Sequence, residues 1–456
     1  MSRLIVLVGL TERENRSPPT ICADARPPIA AAANTIQIAT RRIASTPTTS
    51  QLQPTSHRTA YYMSVNAPAD PCPQLPPSSL IGNPDAFPVL RKWHFFNHAG
   101  VCPLPRVAAD ALRQYADEAS AGAYLDTTWY PRLARLRAVL ARMINATPGE
   151  IALLKNTSEG LATVAAGLDF APGDRIITTA VEYSSNMYPW MDLALRRGVE
   201  LVVVPAHTRP DGTIVVNEAD IETELAKPRT KLLAISHVQF ATGQRMDVLR
   251  LGRACHSHGV LFCLDAIQTV GVLPVDVVAA HVDFLAADGH KWLLGPEGAG
   301  FLYVRRGVMD RLRPPMLGWN SVRNPFAFGT YDLTPKPDAS RYECGTLTVP
   351  AFLSLLASAE LLAHVGVDFI SARLKLLTDR LAAGLLDKGY TVVSPRENDR
   401  WCGSIPFTRH GMDHPAECHR LRTHHRVELV AREGRLRASP HFYNTTEQID
   451  VLLNAV

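Results

Sequence analysis

The sequence predicts an α/β protein built on a mostly parallel, doubly wound sheet, with a smaller α+β domain at its carboxyl end. Three observations carry that prediction. Short apolar runs recur between polar, helix-length segments across residues 150–304, as buried parallel strands do. Several of these runs end in polar or glycine-bearing turns, the edge at which open α/β sheets bind ligands. From about Phe352 the pattern changes to helices, then strands near 391–393 and 404–407 and an Arg-rich strand pair, the order of an α+β unit.

At 456 residues, 46% hydrophobic and 20% charged, the chain has an ordinary globular composition and length for more than one domain. A net charge of +4 is nearly neutral for this size and gives no general case for nucleic acid or a membrane surface as partner. The eight cysteines are scattered without the paired spacing of a metal site or a disulfide framework, which suits a reducing cytoplasm. Residues 1–85 are rich in Pro, Ser, Thr and Ala, too poor in apolar surface to offset ordering entropy, so order is expected from near Phe87. The run from Leu4 to Leu10 is too short to span a bilayer and lacks a cleavage region, leaving an organelle transit segment or a start upstream of a true initiator at Met63. The expected boundaries are an extension over 1–85, a lead-in segment packing on the small domain over 86–105, a large domain over 106–335 and a small domain over 336–456.

The elements follow in order. Trp93 to Val101 reads as a short strand breaking into a glycine turn, with His98 at the turn either facing a ligand or hydrogen-bonded within the fold. A helix starts near Pro105. Residues 150–156 form a strand that runs into Thr157-Ser158-Glu159-Gly160 and an Ala-rich helix. Free amides and two hydroxyls at a helix start make a phosphate cradle, though Thr and Ser are also ordinary caps. The strand at 175–179 leads to Glu182-Tyr183, and the strand at 232–235 to His237-Val238-Gln239-Phe240. Residues 260–264 form an apolar strand ending in Asp265-Ala266-Ile267-Gln268, where the carboxylate either faces a ligand or caps a helix.

Asp283 to Pro296 is the most informative stretch, because Lys291 lies between an apolar run ending in Gly-His and an apolar Trp-Leu-Leu. Burial disfavours the ammonium and leaves a nucleophilic amine suited to a Schiff base, while a lysine snorkelling from a strand end has the same pattern. Near the carboxyl end, Arg437 stands in Arg-Leu-Arg-Ala-Ser-Pro-His-Phe-Tyr-Asn-Thr, where it either clamps a carboxylate bidentately or pairs on the surface.

As a set, Asp265-x-x-Gln268, Gly289-His290-Lys291, Thr157-Ser158-Glu159-Gly160 and Arg437-Ala438-Ser439 resemble the sites of the class V aminotransferase family of pyridoxal phosphate enzymes, over roughly residues 90–450. That family includes cysteine desulfurases, selenocysteine lyases, isopenicillin N epimerases and kynureninases. The resemblance implies fold type I, pyridoxal 5′-phosphate and an amino-acid substrate. By it Lys291 holds the cofactor, Asp265 pairs with the pyridinium nitrogen and Gln268 reaches the ring hydroxyl. Thr157, Ser158 and His290 receive the phosphate, Tyr183 lies on the ring face, and Arg437 clamps the substrate carboxylate beside Phe240 and His98. Glu343-Cys344-Gly345-Thr346 resembles a segment that reaches a neighbouring subunit's phosphate, implying at least a homodimer.

Three positions depart from the desulfurase pattern. Tyr183 replaces a histidine, which keeps stacking but loses acid–base chemistry near neutrality. Phe240 replaces an asparagine and makes the pocket more apolar. Asp288 replaces a phosphate-binding serine and is expected to turn away or bind a backbone donor. Desulfurases also carry a nucleophilic cysteine on a loop just before the arginine strand, whereas here Glu433-Gly434 runs directly into Arg435, with Cys402 and Cys418 placed elsewhere. The expected chemistry is therefore C–S-lyase-like elimination or epimerisation. Desulfurase-like sulfur transfer, transamination and a pyridoxal phosphate-binding sensor or scaffold stand as alternatives.

Overall fold

The structure is a computed structural model that describes residues 76–329 and 331–456. The expectations for residues 1–75 lie outside the described residues. Structure starts earlier than composition suggested: Pro77–Leu80 form a 3-10 turn, Leu80 is buried, and the Gly82 amide donates to the Tyr443 carbonyl. A single apolar anchor in a Pro-rich stretch is enough to hold this turn, and averaged composition hides it.

The lead-in strand β1 (His94–Phe95) is followed by helices α1 (Arg106–Gly122) and α2 (Trp129–Met143). The central sheet is then laid down as β2 (Ile151–Leu154), α3 (Thr157–Gly167), β3 (Arg175–Thr179), α4 (Tyr188–Arg197) and β4 (Glu200–Val204). A small hairpin, β5 (His207–Thr208) and β6 (Ile214–Val215), leads to α5 (Glu218–Leu225), β7 (Thr230–Ser236), α6 (Val248–Ser257), β8 (Leu261–Asp265), β9 (Phe284–Asp288) and β10 (Gly300–Val304). Then come α7 (Val349–Val365), α8 (Val367–Asp387), β11 (Thr391–Val392), β12 (Ile405–Thr408), α9 (His414–His425), β13 (Val427–Glu428), β14 (Val430–Arg432), β15 (Arg435–Ala438) and α10 (Thr446–Ala455).

The seven-stranded sheet has the order β2-β10-β9-β8-β7-β3-β4. Only β10 runs against its neighbours; β9, β8, β7, β3 and β4 pair in parallel. Strands β2, β3, β8, β9 and β10 are buried at every residue, which explains why they read as unbroken apolar runs rather than alternating ones. Apolar residues from both faces of the sheet enter two separate clusters, the larger including α2 and α7 and the smaller α3 and α4. Gly160 brings α3 close to the sheet, since a Cβ there would stand 2.9 Å from the Ala286 Cβ.

The second sheet, β11-β12-β15-β14, is antiparallel and packs its Phe407–Leu436 face into a third cluster with α8, α9 and α10. Strand β1 pairs in parallel with β13, and Asn97 bridges Ser439, so the lead-in segment joins this carboxyl-terminal layer. Among the described residues no single helix is long and apolar enough to cross a membrane.

Candidate active site

The parallel strands deliver their following loops to one edge of the sheet, as parallel order requires. From β2 comes the α3 start, from β3 Glu182 and Tyr183, and from β7 Gln239 and Phe240. From β8 come Asp265 and Gln268, and from β9 Asp288, His290 and Lys291.

Lys291 sits in a turn held from both sides. The Cys102 amide donates to the His290 carbonyl at 2.8 Å, and the Trp292 indole donates to Gln268 Oε1 at 2.7 Å. Burial pulls the Lys291 ammonium below its usual range; the Asp265 and Asp288 charges oppose that shift, while Arg437 and Arg432 add to it. Its Nζ lies 5.6 Å from the centroid of the Tyr183 ring. Asp265 is buried, and burial raises its carboxyl well above the ordinary carboxylate range, with the Glu182 charge adding to the shift. One of its oxygens accepts the Ile267 amide at 3.0 Å, so the side chain is fixed by a local turn and not by capping a helix.

At the start of α3, Asn156 caps the helix by accepting the Glu159 amide at 2.9 Å, which leaves Thr157 and Ser158 free of capping duty. Thr157 Oγ1 is buried with no hydrogen-bond partner among the described residues. Ser158 Oγ lies 2.6 Å from Ser185 Oγ, a hydroxyl contributed by the β3–α4 loop. Asp288 behaves as its chemistry demands: its carboxylate accepts the His290 amide at 3.3 Å and lies 2.8 Å from His290 Nδ1.

The opposite wall comes from the antiparallel sheet. Arg437 is buried, and one of its Nη atoms donates to the Phe240 carbonyl at 3.0 Å while its Nε has no partner. No carboxylate pairs with it among the described residues, and burial holds its guanidinium at about 10. Phe240 meets Tyr183 edge to face, with ring centroids 5.1 Å apart.

Of the two sequence readings of His98, against substrate or hydrogen-bonded within the fold, the geometry favours the second. The ring is fully buried, with Nδ1 donating to the Ser439 carbonyl at 2.8 Å and Nε2 accepting from the Tyr443 hydroxyl at 2.6 Å. Burial lowers its pKa to about 4, and with both nitrogens engaged it is a structural histidine joining the lead-in segment to β15. Gln268 is likewise committed, its amide nitrogen donating to the Ala99 carbonyl at 3.1 Å. One amide hydrogen is left for a ring hydroxyl. Glu343 anchors the segment bearing Gly345 and Thr346 by accepting from Arg137 at 2.6 Å and the Leu153 amide at 2.8 Å, and Thr346 is exposed.

Glu182 was not assigned a role from sequence. It is buried and accepts from Thr179 Oγ1, Asn186, Gln239, the Ser236 amide and the Ser236 hydroxyl. It thereby ties the loop bearing Tyr183 to the loop bearing Phe240. A Glu among apolar and hydroxyl residues at a strand end is the only sequence signal for such a role.

A family model for class V aminotransferases matches residues 94–452. The chain belongs to that family. A probable cysteine desulfurase of Methanothermobacter thermautotrophicus is 34% identical over 392 residues, covering 80% of this chain and 94% of its own. The isopenicillin N epimerase of Streptomyces clavuligerus is 30% identical over 369 residues, 78% of this chain and 92% of its own. Among solved structures, the apo cysteine desulfurase of Thermococcus onnurineus NA1 superposes with a TM-score of 0.75 at 27% identity, over 83% of this chain and 97% of that one. The cystine C–S lyase C-DES, in complex with its product cysteine persulfide, gives 0.73 at 26% identity, over 81% and 98%.

Class V aminotransferases of this kind depend on pyridoxal 5′-phosphate, and the residues present fit it. The unpartnered Thr157 hydroxyl at a helix start suits a phosphate, and a buried carboxylate at the end of β8 suits a protonated ring nitrogen.

Proposed function

We propose that this enzyme acts at the α-carbon of an amino acid and ends in C–S-lyase-like elimination or epimerisation, not in transfer of sulfur to a cysteine of its own, and that it works as a homodimer. The observation that carries this reading is the connection between β14 and β15. Glu433 and Gly434, with φ of 47° and 68°, form a two-residue turn, the tightest hairpin connection, with no loop and no thiol before Arg437. The candidate substitutes are poor nucleophiles. Cys402 is buried with its sulfur donating to the Ser404 carbonyl, and burial pushes both Cys402 and Cys418 up to about 11.

Pyridoxal phosphate, when bound, supplies the electron sink that acidifies the α-carbon. The chain's own residues do the rest. Thr157 and Ser158 hold the phosphate, and Asp265 holds a proton at the pyridine nitrogen. Arg437 grips the substrate carboxylate in a planar fork. Lys291, its amine made basic at lower pH by burial, moves the proton at the α-carbon. Tyr183 and Phe240 give the site an aromatic wall. Support for the homodimer comes from the exposed Thr346 and from Leu317 and Trp319, large apolar side chains left exposed near Gly345.

The test is product identification after turnover of cysteine, cystine and other amino acids, with mass spectrometry of the protein. Pyruvate with ammonia marks elimination, and the D-amino acid marks epimerisation. Cys402→Ser with Cys418→Ser should leave turnover within a few fold and the protein free of persulfide. A persulfide on either residue, lost with activity on its replacement, would sink the reading and restore sulfur transfer.

A further inference from the structure

The hairpin that carries Arg437 carries two more arginines on the same face. Its register pairs Val430 with Arg437, Ala431 with Leu436 and Arg432 with Arg435. Opposed residues of antiparallel strands project to one side, and alternate residues along a strand share it. Arg432, Arg435 and Arg437 therefore stand together, while Ala431 and Leu436 face the other way. Leu436 is fully buried in the cluster beneath α8, α9 and α10, so the arginine face is the one turned toward Phe240, where Arg437 makes its bond.

The three arginines grade from buried to open: Arg437 is buried, Arg435 half-buried and Arg432 exposed. None is ion-paired with a carboxylate among the described residues; the acid acting on Arg435 is Glu433, exposed in the turn. Arg432 is close enough for its charge to depress both Arg437 and Lys291. Three like charges with only the exposed Glu433 beside them repel one another, and an anion laid along them removes that cost. One substrate carboxylate, on Arg437, answers only the innermost.

We propose that Arg432 and Arg435 form an anion subsite for a second carboxylate, so that the substrate is a dicarboxylic amino acid, with an acid group at the far end of its side chain. This rests on the reading of Arg437 as the clamp for the α-carboxylate. Arg435 and Arg437 are two residues apart on one strand, about 7 Å, so the two carboxylates are separated by several bonds. The tight turn that removes the cysteine loop is what brings Arg432 to the mouth of the site.

Carboxylic acids without an amino group test this apart from any turnover. Calorimetric titration of the pyridoxal phosphate-loaded protein at low salt should find glutarate, adipate or pimelate binding at least tenfold tighter than hexanoate. Arg432→Gln combined with Arg435→Gln should reduce that preference to within threefold, and Arg432→Lys should retain part of it; circular dichroism checks that the variants are folded. Equal affinity for diacids and hexanoate, no binding of any diacid, or a preference that survives the double substitution overturns the subsite. The two readings fail differently. Turnover of neutral and acidic amino acids alike removes the subsite and leaves the proposed function. Diacid preference without turnover of any amino acid removes the function and leaves the subsite.

Discussion

Replacing Arg437 separates a structural arginine from one kept for a ligand. Burial holds this guanidinium at about 10 against an ordinary 12.5, a burden of about 3 kcal/mol on the unliganded fold. Against it stands the bond to the Phe240 carbonyl at 3.0 Å, worth about 1.5–3 kcal/mol for a charged donor. Arg437→Met removes both terms and keeps most of the stem's packing, so the two nearly cancel. The variant leaves the Phe240 carbonyl without its donor, so its unliganded stability should stay about level, whereas breaking a buried ion pair costs about 3–5 kcal/mol. The assay is urea unfolding with and without a carboxylic acid ligand. At a hundred times its dissociation constant the ligand stabilises the wild type by about 2.7 kcal/mol, and it should leave the variant unmoved. A loss of 3 kcal/mol without ligand, or ligand stabilisation that persists in Arg437→Met, would refute the assignment.

Three further outcomes are expected. Borohydride reduction of the cofactor-loaded protein and peptide mapping should place the label on Lys291; a label on the exposed Lys155, next to the α3 start, would overturn the site. Thr157→Val should weaken pyridoxal phosphate binding about tenfold, about 1.4 kcal/mol, with no loss of stability without cofactor, because the hydroxyl it removes is buried and unpartnered; unchanged cofactor affinity would release Thr157 from the phosphate. His98 is held neutral, its folded pKa near 4 below the unfolded 6.5, so unfolding takes up a proton there and stability falls as pH drops between those values. In His98→Gln the slope of stability against pH near 5 should lessen by one proton, about 1.4 kcal/mol per pH unit, and an unchanged slope would mean that the folded ring is already charged.

The positions of Lys291, Asp265 and Thr157 were legible because each closes or follows a fully buried strand, and a polar group at the end of such a run has few places to go but the ligand edge of the sheet. Asp288 was legible for a complementary reason, since an anion beside a phosphate site must find a donor, and the His290 amide is the nearest. The choice between the two readings of His98 was not legible, because what fixes it lies 341 and 345 residues away at Ser439 and Tyr443. Gln268 was half legible. Its position at the loop was readable, but its bonds to Ala99 and Trp292 depend on how the lead-in segment crosses the lysine's turn. The five donors of Glu182 come from two separate loops, so local pattern does not reveal them.

How polar demands are met along this edge bears on which ligand it takes. Glu182, Asp265 and Asp288 are buried acids, and each is answered inside the chain: five donors for the first, the Ile267 amide for the second, the His290 amide for the third. Several buried groups have no partner among the described residues, Thr178 Oγ1, His237 Nδ1, Gln239 Oε1, Thr269 Oγ1 and His290 Nδ1 among them, and two more stand out by their chemistry. The Thr157 hydroxyl is buried without a partner, and Arg437 has a buried Nε without one and no carboxylate to offset its charge. A fold ordinarily satisfies such groups, because each one left unmade costs about 1–3 kcal/mol. These two are donors, one at the start of α3 and the other on β15. In the proposed reading they serve two separate anions, a cofactor phosphate and a substrate carboxylate. A scaffold that held only the cofactor would need the first and gain nothing from the second. Arg437, set near a lysine whose ammonium burial destabilises, therefore argues for turnover of an amino acid over mere cofactor storage.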